Sequence, residues 1–426
     1  MTEHHDGPGN RLTVWLGHLL RLDGGTRVVS GSDRPLLSLA LFDYYVILVA
    51  TVLLAGIGAL MSLSSSSVYA QSQNLSPYYY AGRQVIFLAA GGVLAAFASR
   101  ISERLVKLLG LVAYGGAVLL LLLVFSPLGS DAGKGNRNWL SLGPVTLQPS
   151  EFAKLALVIV GSSYLAARRE DLGRFKHLLP YLVIYGVPVA MILAQGDLGT
   201  VMIIGALMIA QMWAFGIKLR HILVLVLAAG AMVAVAVATQ PSRLRRVMLF
   251  LNPSDSPDVS QQPLSAIFAL ASGGWWGVGI GASRQKWGGL YDGAQNDYVF
   301  AVLGEEMGLV GTIAVILLFT LLAWAGVRVA MRSRSQFSRT LAISITAWTS
   351  IQAIMNMGVA LDLFPVFGVP LPFISIGGSA LISNLVAAGL LMACARREKA
   401  AKKYLEASRR SGPPRVTTVV DGGRHA

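Results

Sequence analysis

One aspartate, Asp297, ends a long polar stretch and opens an apolar run in QNDYVFAVLGEEMGLVG. A carboxylate at such a boundary can take a proton from a hydroxyl bound at the mouth of the run. The same residue type in the same place is also an ordinary helix N-cap. Glu305 and Glu306 follow inside the run, where an unpaired carboxylate is costly, so at least one of them must face an interior. Glu151 and Lys154 open another run in QPSEFAK, with Pro149 fitting a helix start. Three residues apart, they share a helix face and can pair, either within a site or as an ion pair joining two helices. Arg83, Lys134, Arg137 (beside Trp139), Arg243, Arg245 and Arg246 border the runs on one side. Together they suit an anionic ligand presented at a membrane surface, such as a lipid pyrophosphate; singly, each could snorkel to lipid head groups. Asp197, in QGDLGT, reads as a helix cap. LFPVFGVPLPFISIGGSALISNL reads as broken helix, which a membrane tolerates only inside protein or along a wet cavity. There Ser375, Ser379 and Asn356 can satisfy freed carbonyls.

The elements that must position these residues are membrane spans. Of the 426 residues, 54% are hydrophobic and 13% charged, and the mean hydropathy is +0.61. A soluble chain carries about 25% charged residues. Apolar runs recur near 44–63, 82–99, 105–126, 149–167, 178–194, 198–216, 221–239, 298–326, 340–361 and 370–395. They are continuous, which excludes an alternating β-barrel. The fold class is therefore an all-α integral membrane protein with about ten transmembrane helices of ~20 residues each. Most Lys and Arg residues fall on one side of that arrangement, which puts both termini in the cytoplasm. Orientation and anionic lipid contact account for most of the net charge of +14, and no nucleic-acid partner is implied. Residues 1–43 form a cytoplasmic extension without a signal peptide, in which 13–22 can make a short surface helix. The membrane domain covers 44–395, and 396–426 is a basic, disordered tail. Between spans seven and eight lies a large extracytoplasmic loop, 240–297, rich in Pro and Gly, with a short helix near 262–272. Outer segments 64–81 and 127–148 are also long. The lone Cys394 forms no intrachain disulfide and takes no role.

Seven segments in this order resemble the SEDS family (shape, elongation, division and sporulation proteins). They are Arg83-Gln84, Arg137 with Trp139, QPSEFAK at 148–154, GDLGT at 196–200, GIGASRQKWG at 279–288, NDYVFAVLGEEMGLVG at 296–311, and PLPFISIGGS at 370–379. No one motif decides, but the ordered set is specific. The resemblance implies a ten-span fold and a peptidoglycan glycosyltransferase that polymerises lipid II on the outer face of the bacterial cytoplasmic membrane. It assigns the essential aspartate to Asp297. It places the supporting ionic residues on Glu151 and Lys154 and the pyrophosphate-side basic residue on Arg83 or Arg137; Lys134, Trp139, Ser375 and Ser379 are further candidate substrate-binding residues read from the sequence itself. The sequence around 281–306 is closer to the division branch, FtsW-like and of the actinobacterial kind, than to the elongation branch, which implies action at the division septum. A class B penicillin-binding protein transpeptidase, packed on span eight or nine, and other division proteins are the implied partners. A divalent cation such as magnesium or manganese can share the charge of the leaving group, although no carboxylate cluster demands one.

Four positions depart from the family pattern. Asn138 stands in place of a second arginine, Gln295 of a histidine, Gly196 of a proline and Ile376 of a tyrosine. None removes Asp297, while the loss of an arginine weakens the first outer loop as a pyrophosphate site. Three readings compete with a division polymerase: an elongation polymerase, a lipid II flippase, for which buried charges and broken helices also serve, and a scaffold whose span surfaces alone matter.

Overall fold

The computed structural model describes residues 41–131, 136–143, 145–168, 178–251, 257–290, 293–402 and 404. The expected surface helix at 13–22, Lys134 and the polar tail past Lys403, Tyr404 apart, lie outside them.

In hydrocarbon every backbone polar group must be satisfied internally, and a helix does so within one segment. The described chain is accordingly almost all helix: α1 (Phe42–Ser72), α2 (Tyr79–Ala98), α3 (Glu103–Leu123), α4 (Pro149–Ala167), α5 (Leu179–Ala194), α6 (Leu198–Phe215), α7 (Leu219–Ala238), α8 (Pro241–Leu251), α9 (Pro257–Ser272), α10 (Val299–Arg332), α11 (Gln336–Ala360) and α12 (Gly378–Arg396). Among the described residues, eight are long and apolar enough to cross a membrane: α1–α4, α6, α7, α10 and α12. The helix α5 is apolar but has 16 residues. The helix α11 has 25 residues and is less apolar, its buried face carrying Thr340, Ser344, Gln352 and Asn356.

Several boundaries differ from expectation. The 64–81 segment is not all loop, because α1 continues to Ser72. At ~1.5 Å per residue it spans ~46 Å and rises well clear of a ~30 Å hydrocarbon layer. The last span starts at Gly378 rather than at 370, since Pro370 and Pro372 cannot donate to a helix ladder. The outer segment after α3 folds into an antiparallel hairpin-like sheet in the order β1 (Gly129–Ser130), β2 (Trp139–Leu142), β3 (Val145–Leu147), with Leu140 opposite both Gly129 and Leu147. In the long loop, α9 begins five residues before the expected helix, and α8 was not expected at all.

The centre of the bundle is α12, which packs on α2, α1, α11 and α4. Small residues let the backbones meet there: a Cβ on Gly389 would stand 2.4 Å from the Ala95 carbonyl oxygen of α2. At the margin, α7 buries only Ile222 and Ala236. At the end away from the sheet, Asp43 pairs with Arg328 (3.0 Å) and Arg332 (3.2 Å) of α10. Glu398, just past α12, joins this cluster, and burial pushes its carboxyl up to about 7.

The 34-residue α10 breaks at Gly308, where φ is +66° and ψ −166°. A break frees backbone groups that lipid cannot satisfy. The glycine-rich strap 273–279 supplies the partners. Val278 N–H donates to the Glu305 carbonyl (2.9 Å) and Gly279 N–H to that of Glu306 (3.1 Å). In return Leu309 and Val310 donate to the carbonyls of Gly274 and Trp275 (2.9 and 3.2 Å).

Candidate functional site

Asp297 lies half-buried where the long loop meets α10. The N-cap position falls one residue later, on Tyr298, and no side-chain cap bond forms there. The main chain around Asp297 is held from two other elements. Asn356 Nδ2, on α11, donates to the carbonyls of Asp297 (3.1 Å) and Asn296 (3.4 Å), and also to that of Val369 (2.8 Å). Ser375 Oγ donates to the Asn296 carbonyl (2.7 Å) and accepts from Leu371 N–H (2.8 Å). Ile376 N–H donates to the Gln295 carbonyl (3.0 Å). The proline-rich hinge 365–377, the end of the loop and α11 thus form one hydrogen-bonded unit. Its electrostatic surroundings show at Tyr298, whose hydroxyl is raised well above the usual phenol range by burial and by the charges of Asp297 and Asp362, with Arg246 opposing. Asp362, just past α11, is itself raised by burial.

A second unit lies deeper. Lys154 Nζ donates to Glu151 Oε1 (2.8 Å) and to Gln352 Oε1 (2.9 Å), and stands 5.4 Å from the centre of the Trp348 ring. Trp348 Nε1 donates to the same Gln352 oxygen (2.8 Å), and Gln352 Nε2 to the Pro370 carbonyl (2.9 Å). The expected pair of Glu151 and Lys154 therefore exists, fully buried, and ties α4 to α11 and the hinge. Gln352 and Asn356 are four apart on one face of α11, so that helix connects the buried pair to the backbone of Asp297. Glu151 Oε2 stays buried without a hydrogen-bond partner.

A third unit clamps the strap. Lys286 Nζ reaches Glu306 Oε1 (2.9 Å), Ser64 Oγ (2.9 Å) and the Gly281 carbonyl (2.7 Å). Glu305 accepts from Ser283 Oγ and from the backbone N–H groups of Arg284 and Gln285. Both glutamates are buried, where one interior-facing residue was the minimum expected.

The remaining candidates spread around these units. Arg83 lies over Tyr79 and Phe87 at the head of α2, and its neighbour Gln84 donates to the Ser375 carbonyl (3.3 Å). Ser379 is buried and accepts from Gln148 N–H (3.0 Å), joining the root of the sheet to the start of α12. Both serines thus spend their hydroxyls on backbone. Arg137 is exposed on the sheet and donates to the Ser126 carbonyl (2.6 Å), with Trp139 in β2. Asp197 caps α6 through Thr200 N–H (3.0 Å) and accepts from Asn138 Nδ2 (2.9 Å), so the departure at Asn138 anchors the sheet. Gly196 adopts φ +90°, out of reach for a proline. Among the described residues no group of three or more His, Cys, Asp and Glu is placed to hold a metal ion. Asp362 was not among the expected site residues; a charged residue at the end of an apolar run was the signal available.

The model of the cell cycle protein family that groups FtsW, RodA and SpoVE matches residues 45–400. The chain belongs to this SEDS family. It is 34% identical over 405 residues to the probable peptidoglycan glycosyltransferase FtsW of Mycobacterium tuberculosis, covering 94% of this chain and 73% of that one. Among solved structures it resembles a component of a peptidoglycan synthase complex that coordinates polymerization and crosslinking, with a TM-score of 0.66 and 28% identity over 81% of this chain and 96% of that one. It also resembles the rod shape determining protein RodA of Thermus thermophilus, with a TM-score of 0.60 and 25% identity over 83% of this chain and 96% of that one. This SEDS chain is thus a multi-pass membrane protein whose motif segments converge on one end of the bundle.

Proposed function

We propose that this chain is a peptidoglycan glycosyltransferase that polymerises lipid II at the outer face of the cytoplasmic membrane during septal wall synthesis. The observation that carries the reading is Asp297 at the mouth of α10, with its own carbonyl held by Asn356 and that of the preceding Asn296 held by Ser375. The chain crosses the membrane ten times, α5 and α11 included, with both termini inside; the asymmetry of basic residues supports this. Asp297 accepts the proton of the acceptor sugar's 4-hydroxyl as that oxygen attacks C1 of the growing chain. The bond from C1 to the pyrophosphate oxygen breaks, and the polyprenyl pyrophosphate leaves with the electron pair. Its developing charge is met by outer-face arginines, Arg246 on the loop and Arg83 or Arg137 beyond it. The buried Glu151–Lys154 pair positions α11 and the hinge.

A single-span transpeptidase is the expected partner, and the exposed apolar face of α10 (Leu309, Val310, Ile313, Leu317) offers a helix-sized surface for it. The test is polymerisation of labelled lipid II by the purified protein with its cognate transpeptidase. Wild type should give glycan ladders, and a folded Asp297→Asn protein should give none. Comparable ladders from that variant would remove Asp297 as the base. An absence of ladders from both, in a well-folded complex, would favour a transporter or scaffold.

A further inference from the structure

The end of α11 breaks two local rules at one residue. The helix closes in a Schellman turn, in which Leu363 N–H donates to the Gly358 carbonyl (2.8 Å) and Asp362 N–H to the Val359 carbonyl (3.1 Å). The left-handed position of such a turn is usually glycine, because a Cβ is disfavoured there. Here it is Asp362, with φ +54°. A carboxylate at this place also meets the negative end of the helix dipole. Nothing within the chain offsets the two costs. Asp362 is half-buried, burial raises its carboxyl, and among the described residues no cation lies within ion-pair distance of it.

Asp362 belongs to the mouth of α10. Asn356, six residues earlier on α11, holds the Asp297 carbonyl, so Asp362 stands about 9 Å further along the helix axis. The charges of Asp297 and Asp362 both act on the hydroxyl of Tyr298. That hydroxyl is fully buried and has no hydrogen-bond partner among the described residues. A buried phenol normally has one, and a water or ligand at the carboxylates would supply it. Phe364 follows two residues after Asp362; its ring lies over Gly358 and remains exposed. A free carboxylate, an open aromatic face and an unpartnered hydroxyl suit a ligand that carries hydroxyl or amide donors around an apolar ring face.

We propose that Asp362 and Phe364 form the subsite for the acceptor sugar, an acetamido pyranose, with the Asp362 carboxylate accepting from a sugar hydroxyl or the acetamido N–H and the Phe364 ring packed on the sugar's C–H face. The inference rests on the proposed polymerisation. A sugar held there turns its 4-hydroxyl to Asp297, and a water bonded to Tyr298 completes the set. Asp362 binds and orients the acceptor and takes no proton from it.

The test is binding of lipid II, and of undecaprenyl pyrophosphate, which lacks the sugars, to the purified full-length protein in detergent. Asp297→Asn serves as the background, so that binding is read without turnover. Asp362→Gly deletes the carboxylate at a φ where glycine is at home, so the fold should hold. It should weaken lipid II roughly tenfold, as the loss of one charge-assisted hydrogen bond would, and leave undecaprenyl pyrophosphate unchanged. Phe364→Ala should do the same, and Phe364→Tyr should bind like the parent. With Asp297 intact, Asp362→Gly should raise KM for lipid II by a similar factor and keep kcat within about twofold. Unchanged lipid II affinity in Asp362→Gly, or an equal loss of undecaprenyl pyrophosphate, would overturn the subsite. So would lipid II binding that needs magnesium in the parent and no longer does in Asp362→Gly, since Asp362 would then hold a cation. If the affinity pattern holds and wild type makes no polymer, the subsite stands and the reaction falls. If wild type polymerises and Asp362→Gly changes neither affinity nor KM, the subsite falls alone.

Discussion

Replacing Lys286 with methionine should unseat the strap that completes α10. The ammonium is almost fully buried and serves Glu306, Ser64 and the Gly281 carbonyl at once. Methionine keeps most of the volume and removes all three donors, so Glu306 is left as a buried carboxylate with no counter-charge. Removing one partner of a buried pair costs about 3–5 kcal/mol, most of it the stranded charge rather than the lost attraction. That origin has a signature. In Lys286→Met/Glu306→Gln no charge is stranded, and the double variant should recover at least half of the loss despite carrying two changes. The assay is retention of a monodisperse peak after heating in detergent, read for wild type, both single variants and the double variant. Polymerisation should fall with the strap, since the strap leads into Asp297. A Lys286→Met protein that survives heating like wild type, or a double variant no better than the single, would refute the electrostatic account of the clamp.

Gly308→Ala should yield little folded protein by gel filtration. The backbone there has φ +66°, and an added Cβ would stand 2.3 Å from the Gly277 nitrogen. Asn356→Ala should leave a folded protein whose polymer yield drops by about 10²-fold, because it frees the carbonyls of Asn296 and Asp297 and lets the proposed base shift; normal yield in a glycan-ladder assay would contradict this. Glu398 is raised by burial from 4.5 to about 7. A raised acid favours the folded state when protonated, so its contribution is fully present below about 4.5 and lost as pH climbs through about 7. Glu398→Gln should therefore flatten the decline of thermal stability between those values, with a gain at pH 8 of up to ~3 kcal/mol, read from melting curves of both proteins across pH.

What the sequence made legible follows from which physical signal carried it. The span α4 was bounded to the residue because Pro149 starts it and an apolar period fills it. The pairing of Glu151 with Lys154 was legible because it is local, an i to i+3 contact on one helix face. The third partner, Gln352, is 198 residues away, and no local pattern announces it. The clamp of Glu306 by Lys286 and Ser64 was hidden for the same reason, although the cost of a carboxylate in lipid did demand some partner. The kink in α10 was invisible because its apolar run continues through Gly308, and only the strap of glycines facing it makes the break tolerable. Helix α8 was missed because PSRLRRVMLFL mixes charge and apolar residues in a segment that also begins with proline. Ser375 and Ser379 drew attention as polar residues in a broken helix, and their hydroxyls serve the hinge backbone.

These contacts share one arrangement. Loops at a membrane surface are mobile unless something orders them, and a proton acceptor displaced by about 1 Å can lose a hundredfold in rate. Here the loop ending at Asp297 borrows its order from the interior of the bundle. Its carbonyls at 295–297 are held by Ile376 N–H, Ser375 and Asn356. Asn356 sits one turn from Gln352, which is fixed by Lys154 and Trp348. On the other side, the strap is riveted to α10 through Glu305 and Glu306. The entropy of ordering the loop is thus offset by buried groups that need hydrogen-bond partners in any case. In the outer part of the bundle, buried amide and ionisable side chains hold the backbone that leads to Asp297: a hydrophobic replacement of Asn356 would free the Asp297 carbonyl, and one of Gln352 would free the Pro370 carbonyl of the hinge.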